Sequence, residues 1–140
     1  MQTSILKLEW KRREGGGCRT QRDYLDFVVD GESLSEKIGG DKVSPIGWFV
    51  PEYNTKAVNQ IMLKENSDLP NNRYALYVCA ECGDLSCGAI TAVIERIDDK
   101  IIWREFAFQN DYEEDINLIK NSETFIFDET QYQNALKSAL

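Results

Sequence analysis

The chain contains no histidine among its 140 residues. That absence removes the commonest general base and the commonest metal ligand together, and with them triad hydrolysis and every imidazole-built zinc or iron site. Long apolar runs are also missing: none approaches the roughly 20 residues of a membrane-crossing helix, so no membrane partner is expected. The opening residues, Met1-Gln-Thr-Ser-Ile5-Leu-Lys-Leu8, lack the cationic start and long apolar stretch of a secretory signal, so a cytoplasmic location is expected. Basic residues are scarce after the N-terminus. Met1 to Arg22 holds six basic and two acidic residues, and taking that +4 from the total of −8 leaves −12 for the rest. Such a surface repels a polyanion, which argues against nucleic acid, and it steers in a basic protein.

Apolar residues make up 42% of the chain and aromatic residues 11%, enough for the core of one unstapled domain. Ile5-Leu-Lys-Leu-Glu-Trp10 and Tyr24-Leu-Asp-Phe-Val-Val-Asp30 alternate apolar and polar, with Gly15-Gly16-Gly17 between them. The pattern predicts a hairpin with a wide, mobile, basic tip carrying Lys11, Arg12, Arg13, Arg19 and Arg22. A helical turn is expected over 33–38, stopped by Gly39-Gly40. Pro45 and Pro51 bracket Ile46-Gly-Trp-Phe-Val50, an apolar loop or short strand expected to plug one end of the core. From Asn54 onward Ala57, Val58, Ile61 and Met62 recur at helical spacing, until Asn66-Ser-Asp-Leu-Pro70 ends the pattern.

Strands are expected over 74–80, 88–97 and 101–108, the last two joined by Asp98-Asp99-Lys100, followed by a weak segment near 116–119 and a short strand at 125–127. Asp128 has the chemistry of an N-cap and Gln131 the position that completes a capping box. Tyr132, Ala135, Leu136 and Ala139 then mark a buried helical stripe. Adjacent strands with few helices imply an α+β domain spanning 1–140. It should hold a mainly antiparallel sheet of about six strands with two or three flanking helices, the last at the C-terminus. The basic hairpin, 3–31, is expected to sit on an α+β core, 44–140.

Three of the four cysteines fall in Cys79-Ala-Glu-Cys82-Gly-Asp-Leu-Ser-Cys87-Gly88. As a zinc site, Cys79 and Cys82 form one knuckle, Cys87 is a third ligand, and Cys18 from the glycine-rich loop has to complete the tetrahedron. As a redox pair, Cys79 and Cys82 need a helix N-terminus to lower a thiol pKa. The residues after Cys82 read as a turn instead, and Glu81 opposes thiolate formation. The expected reading is structural, without a cofactor: Cys79 and Cys87 are small buried hydrophobes at strand ends, and Gly83, Asp84 and Gly88 shape the turn.

A second cluster, Gln109-Asn-Asp111-Tyr112-Glu113-Glu114-Asp115, lies in the most acidic part of the chain, where eight acidic residues from Glu105 to Glu129 face Lys120 alone. It lacks the alternating ligands and central glycine of a calcium loop. No two carboxylates of unlike environment stand out for glycoside hydrolysis. Asp111, Tyr112, Glu113, Glu114 and Asp115 are therefore expected to form a partner-binding face, a tyrosine anchor within a charged rim. Arg12 and Arg13 offer a different possibility, a clamp for phosphate or an acidic peptide.

Tyr77-Val-Cys-Ala-Glu-Cys-Gly-Asp-Leu-Ser-Cys-Gly-Ala-Ile-Thr91, with Trp103-Arg-Glu-Phe106, Asn110-Asp-Tyr-Glu113 and Phe125-Ile-Phe-Asp128-x₃-Tyr132, resembles a family of small uncharacterised bacterial proteins. Some of these carry an oxidoreductase label without a demonstrated reaction. The resemblance covers roughly 44–136 and implies a fold but no reaction. The family pattern has proline at the position of Ala80 and glycine at that of Ser86, which implies a looser turn here. In size, acidity and lack of catalytic groups the chain is also similar to immunity proteins of bacterial toxin systems, including contact-dependent growth inhibition. The expected function is thus that of a non-enzymatic immunity protein that binds and neutralises a cognate basic nuclease toxin. The alternatives are a thiol-dependent redox enzyme using Cys79 and Cys82, and a zinc-stabilised binding scaffold.

Overall fold

The computed structural model describes residues 2–110 and 116–140. Strands β1 (Leu6–Arg13) and β2 (Arg22–Val29) form the predicted hairpin in unbroken register, from Leu6 opposite Val29 to Arg13 opposite Arg22. A two-residue β3 (Glu32–Ser33) completes this first antiparallel sheet, and a single π-turn follows at Ser35–Gly39. Helix α1 (Pro51–Ile61) leads to the second sheet, built from β4 (Arg73–Tyr77), β5 (Ala89–Ile97), β6 (Lys100–Gln109), β7 (Asn117–Leu118) and β8 (Phe125–Asp128). β5 and β6 make the central hairpin and β4 flanks β5. Both short strands pair with β6, β7 against Ala107 and Phe108 and β8 against residues 100–103. Helix α2 (Glu129–Lys137) closes the chain. The fold is α+β in a single small domain of two antiparallel sheets, with the last helix at the C-terminus. No helix among the described residues is long and apolar enough to cross a membrane.

The first sheet is joined to the second through the core. Phe27 of β2 sets its edge against Tyr77 at 5.7 Å and Trp103 at 5.5 Å, the geometry that aromatic quadrupoles favour. Leu6, Tyr24 and Phe27 share one buried cluster with Ile61, Leu76, Ile94, Trp103 and Phe127. Isolated bridges also join Ser4 to Phe127 and Val43 to Val78. The hairpin therefore covers apolar surface of the second sheet, and its removal would expose that surface.

The departures from expectation have local causes. α1 starts at Pro51, three residues before the apolar pattern begins, because proline is tolerated in the first turn, where its missing N–H costs nothing. β4 ends at Tyr77 because a register shift after Ala75 breaks its ladder, and Val78 then pairs with Val43 instead of β5. Eight strands replace about six because β3 and β7 are two residues long and carry almost no periodic signal. Asp128 caps α2 by accepting the Gln131 N–H at 3.1 Å. The Gln131 side chain, however, leaves the cap for Leu6, donating to its carbonyl at 2.6 Å and accepting its N–H at 3.0 Å. Half the capping box is spent on tethering the hairpin.

Candidate metal centre

Cys79 follows the end of β4, where Val78 is held on Val43 by two backbone bonds of 2.7 and 3.0 Å. The Gly83 N–H then reaches back to the Cys79 carbonyl at 2.8 Å and closes a tight five-residue turn. Closure needs Gly83 at φ +69, in the left-handed region open to glycine. A single 3₁₀ turn, Leu85–Cys87, carries the chain onward, and Gly88 at φ +93 delivers it into β5. Each glycine lies beneath a ring. A Cβ on Gly83 would stand 2.1 Å from Phe49, and one on Gly88 would stand 2.6 Å from Phe108. The two Cys-Gly pairs thus place their thiols where any larger following residue would collide with an aromatic.

This geometry gathers Cys79, Cys82 and Cys87, whose sulfurs all lie within 4.8 Å of one another. Cys82 and Cys87 are in contact at 3.1 Å. A tetrahedral zinc with bonds of about 2.3 Å sets its sulfurs about 3.8 Å apart, so small side-chain adjustments suffice to seat the ion. The structural expectation for Cys87 fails: it is exposed, as is Cys82, and Cys79 is only half-buried. The turn needs its backbone bonds and glycines to close, and packing of the thiols is not what shapes it. Among the described residues Cys18 lies outside the cluster, so the arrangement offers three protein ligands, not the four that Cys18 would have completed.

Backbone amides favour charge on sulfur here. Burial pushes the Cys79 thiol pKa up, but N–H groups of Cys82 and Glu81, with the two neighbouring thiols, more than offset it and leave the thiol below its ordinary value. The Asp84 N–H points at Cys82 Sγ at 3.4 Å. Cys87 moves the other way, pushed up to about 11, first by its hydrogen bond with Cys82, then by burial and its neighbours. The neighbouring sulfurs thus favour charge on Cys79 and oppose it on Cys87. A bound divalent cation would reverse the opposition at Cys87, because its charge is larger than any the side chains supply.

The hairpin tip is docked on the same loop. Glu81, between Cys79 and Cys82, accepts the Thr20 N–H at 3.0 Å, the Thr20 hydroxyl, and an Arg13 guanidinium N–H at 2.9 Å. Its carboxyl is held down at about 2, chiefly by the Thr20 hydroxyl, then by the Thr20 N–H and Arg13. Arg13 also reaches Asp41 and the Thr20 carbonyl. Arg22 donates to the Ala80 carbonyl at 2.7 Å while stacking over Trp48 at 4.3 Å. The charge expected to oppose the thiolates is therefore neutralised from the hairpin. Arg12 and Arg13, offered as a clamp for phosphate or an acidic peptide, are both in ion pairs, Arg12 with Asp23 and Arg13 with Asp41 and Glu81; Arg19 of the same tip pairs with Asp41. Nothing local in the sequence signals the link between Thr20 and Glu81, 61 residues apart.

Between the loop and α1 lies a cleft of about 320 Å³, lined by Phe49, Tyr53, Lys56, Leu69, Cys82 and Leu85 among others. The acidic candidates Asp111, Tyr112, Glu113, Glu114 and Asp115 lie outside the described residues. The strand before them is anchored by buried Trp103 and Phe106, whereas Phe108 is partly exposed above Gly88. No known protein family, curated protein or solved structure matches the chain.

Proposed function

We propose that the protein is a non-catalytic binding protein whose Cys79, Cys82 and Cys87 hold one soft divalent cation, zinc foremost, as a structural knuckle. The observation that carries this reading is the convergence of three sulfurs within 4.8 Å on a loop whose amides point at two of them. Thiolate ligands select zinc over magnesium or calcium, and with no histidine in the chain the donor set is sulfur. A bound ion would tie the end of β4 to the start of β5 and stiffen the surface on which the hairpin tip rests. A thioredoxin-like reaction of Cys79 and Cys82 has less support, because a three-residue 3₁₀ turn follows Cys82 where that chemistry uses an α-helix. The test is titration of chelator-stripped protein with cobalt(II). The expected result is saturation at one equivalent with a thiolate-to-cobalt charge-transfer band, lost in Cys82→Ser and Cys87→Ser. Saturation with unchanged spectra in both variants contradicts the reading.

A second reading concerns the partner. The net charge of −8, together with the engagement of the N-terminal cations in ion pairs, supports a protein that meets a basic surface. In this reading the chain is an immunity protein for a basic nuclease toxin, and residues 111–115 contribute to the contact. Its test is a search of the neighbouring genes for a basic nuclease toxin, followed by growth protection when the chain is co-expressed with it; a neighbourhood without a toxin gene argues against the reading. Equal protection by a variant with Glu113 and Glu114 changed to lysine argues against that face.

A further inference from the structure

The sequence motif pairs Cys79 with Cys82, but in the fold Cys82 Sγ is also in direct contact with Cys87 Sγ. Their sulfurs stand 3.1 Å apart and both side chains are exposed. Cys79 is half-buried and holds the amides of Glu81 and Cys82. A disulfide needs an S–S distance of about 2.05 Å, so closing Cys82 onto Cys87 takes an approach of about 1 Å. We propose that Cys82 and Cys87 are a peroxide-oxidisable pair, a reversible modification site inside the thiol cluster. Where the cluster is loaded, their oxidation expels the ion; only that last step rests on the metal reading above.

The chemistry is self-contained once hydrogen peroxide is supplied. Cys82 Sγ attacks one peroxide oxygen, the O–O bond breaks, and sulfenic acid forms with loss of one water. Cys87 Sγ then displaces the sulfenic oxygen, forming the S–S bond; its proton leaves with that oxygen as a second water. Two thiols are oxidised to one disulfide and one peroxide is reduced to two waters. Cys79 alone remains as a thiolate ligand, too few for a zinc site of this type. Cys87 is placed for the second step, because its sulfur is already in contact with its target at 3.1 Å.

The experiment exposes both chelator-stripped and zinc-loaded protein to one equivalent of hydrogen peroxide, blocks remaining thiols, and maps disulfides by non-reducing peptide mass spectrometry. Released zinc is read in parallel with a colorimetric chelator. The expected result is an intramolecular Cys82–Cys87 disulfide in the stripped protein, with a mass lower by two hydrogens and reversed by dithiothreitol. It should be unchanged in Cys18→Ser. In Cys87→Ser it should be replaced by a dimedone-trapped sulfenic acid at Cys82. A disulfide joining Cys79 to Cys82, one involving Cys18, or none at all overturns the proposal. If the expected disulfide forms but the protein never takes up zinc, the pair stands and the metal reading falls.

Discussion

The ring of Phe49 covers Gly83 so closely that a Cβ on the glycine would stand 2.1 Å from Phe49 Cζ and 2.6 Å from Cε1. Gly83 is also at φ +69, in the turn that carries Cys82. Gly83→Ala therefore combines a left-handed backbone penalty of about 1–2 kcal/mol with an overpacking penalty of about 1–3 kcal/mol. Urea unfolding should show a loss of at least about 2 kcal/mol, most of the overpacking part recovered in the Phe49→Ala background, where the ring is absent. Equal losses in the two backgrounds would mean that the ring does not constrain the turn.

Acid should loosen the hairpin tip from the thiol loop. The Glu81 carboxyl is lowered from its ordinary value of 4.5 to about 2 by Thr20 and Arg13, so the folded state binds its proton less readily than the unfolded state. The contribution of this contact is therefore complete above pH 4.5 and is lost as the pH falls through about 2. Following the Thr20 amide by NMR in chelator-stripped protein should give a midpoint near the lower value, and Thr20→Val should shift it upward. A midpoint at the ordinary value would show that Glu81 is free of the tip.

Within the core, Tyr132 Oη accepts the Trp103 indole N–H at 3.0 Å and donates to the Ile61 carbonyl at 2.7 Å. All of this is buried. Tyr132→Phe strips a partner from both groups and should cost about 1–3 kcal/mol, the penalty for buried polar groups left unpaired. Equilibrium denaturation monitored by tryptophan fluorescence measures it. An unchanged midpoint would indicate that water takes the place of the hydroxyl.

The features legible in the sequence are those written at short range. The β1–β2 hairpin follows from alternation between Ile5 and Asp30, and the Asp128 cap from one residue type three positions before Gln131. The thiol cluster was visible as spacing, but not which sulfurs touch, because that depends on the left-handed turn at Gly83 and the 3₁₀ turn after it. Glu81 read as an obstacle to thiolate chemistry because its partners Thr20 and Arg13 are 61 and 68 residues away. Gln131 read as a capping side chain for the same reason, its true partner being Leu6 across 125 residues. Contacts made by tertiary closure leave no periodic trace.

X-ray absorption at the zinc edge of protein purified without added metal and dialysed against a weak chelator reads directly whether sulfur from Cys79, Cys82 and Cys87 holds the ion. The expected result is one zinc per chain with a first shell dominated by sulfur at about 2.3 Å, reduced in amplitude or absent in Cys87→Ser. A first shell of oxygen and nitrogen only, at about 2.0–2.2 Å, or a protein that keeps no metal through dialysis, would contradict it.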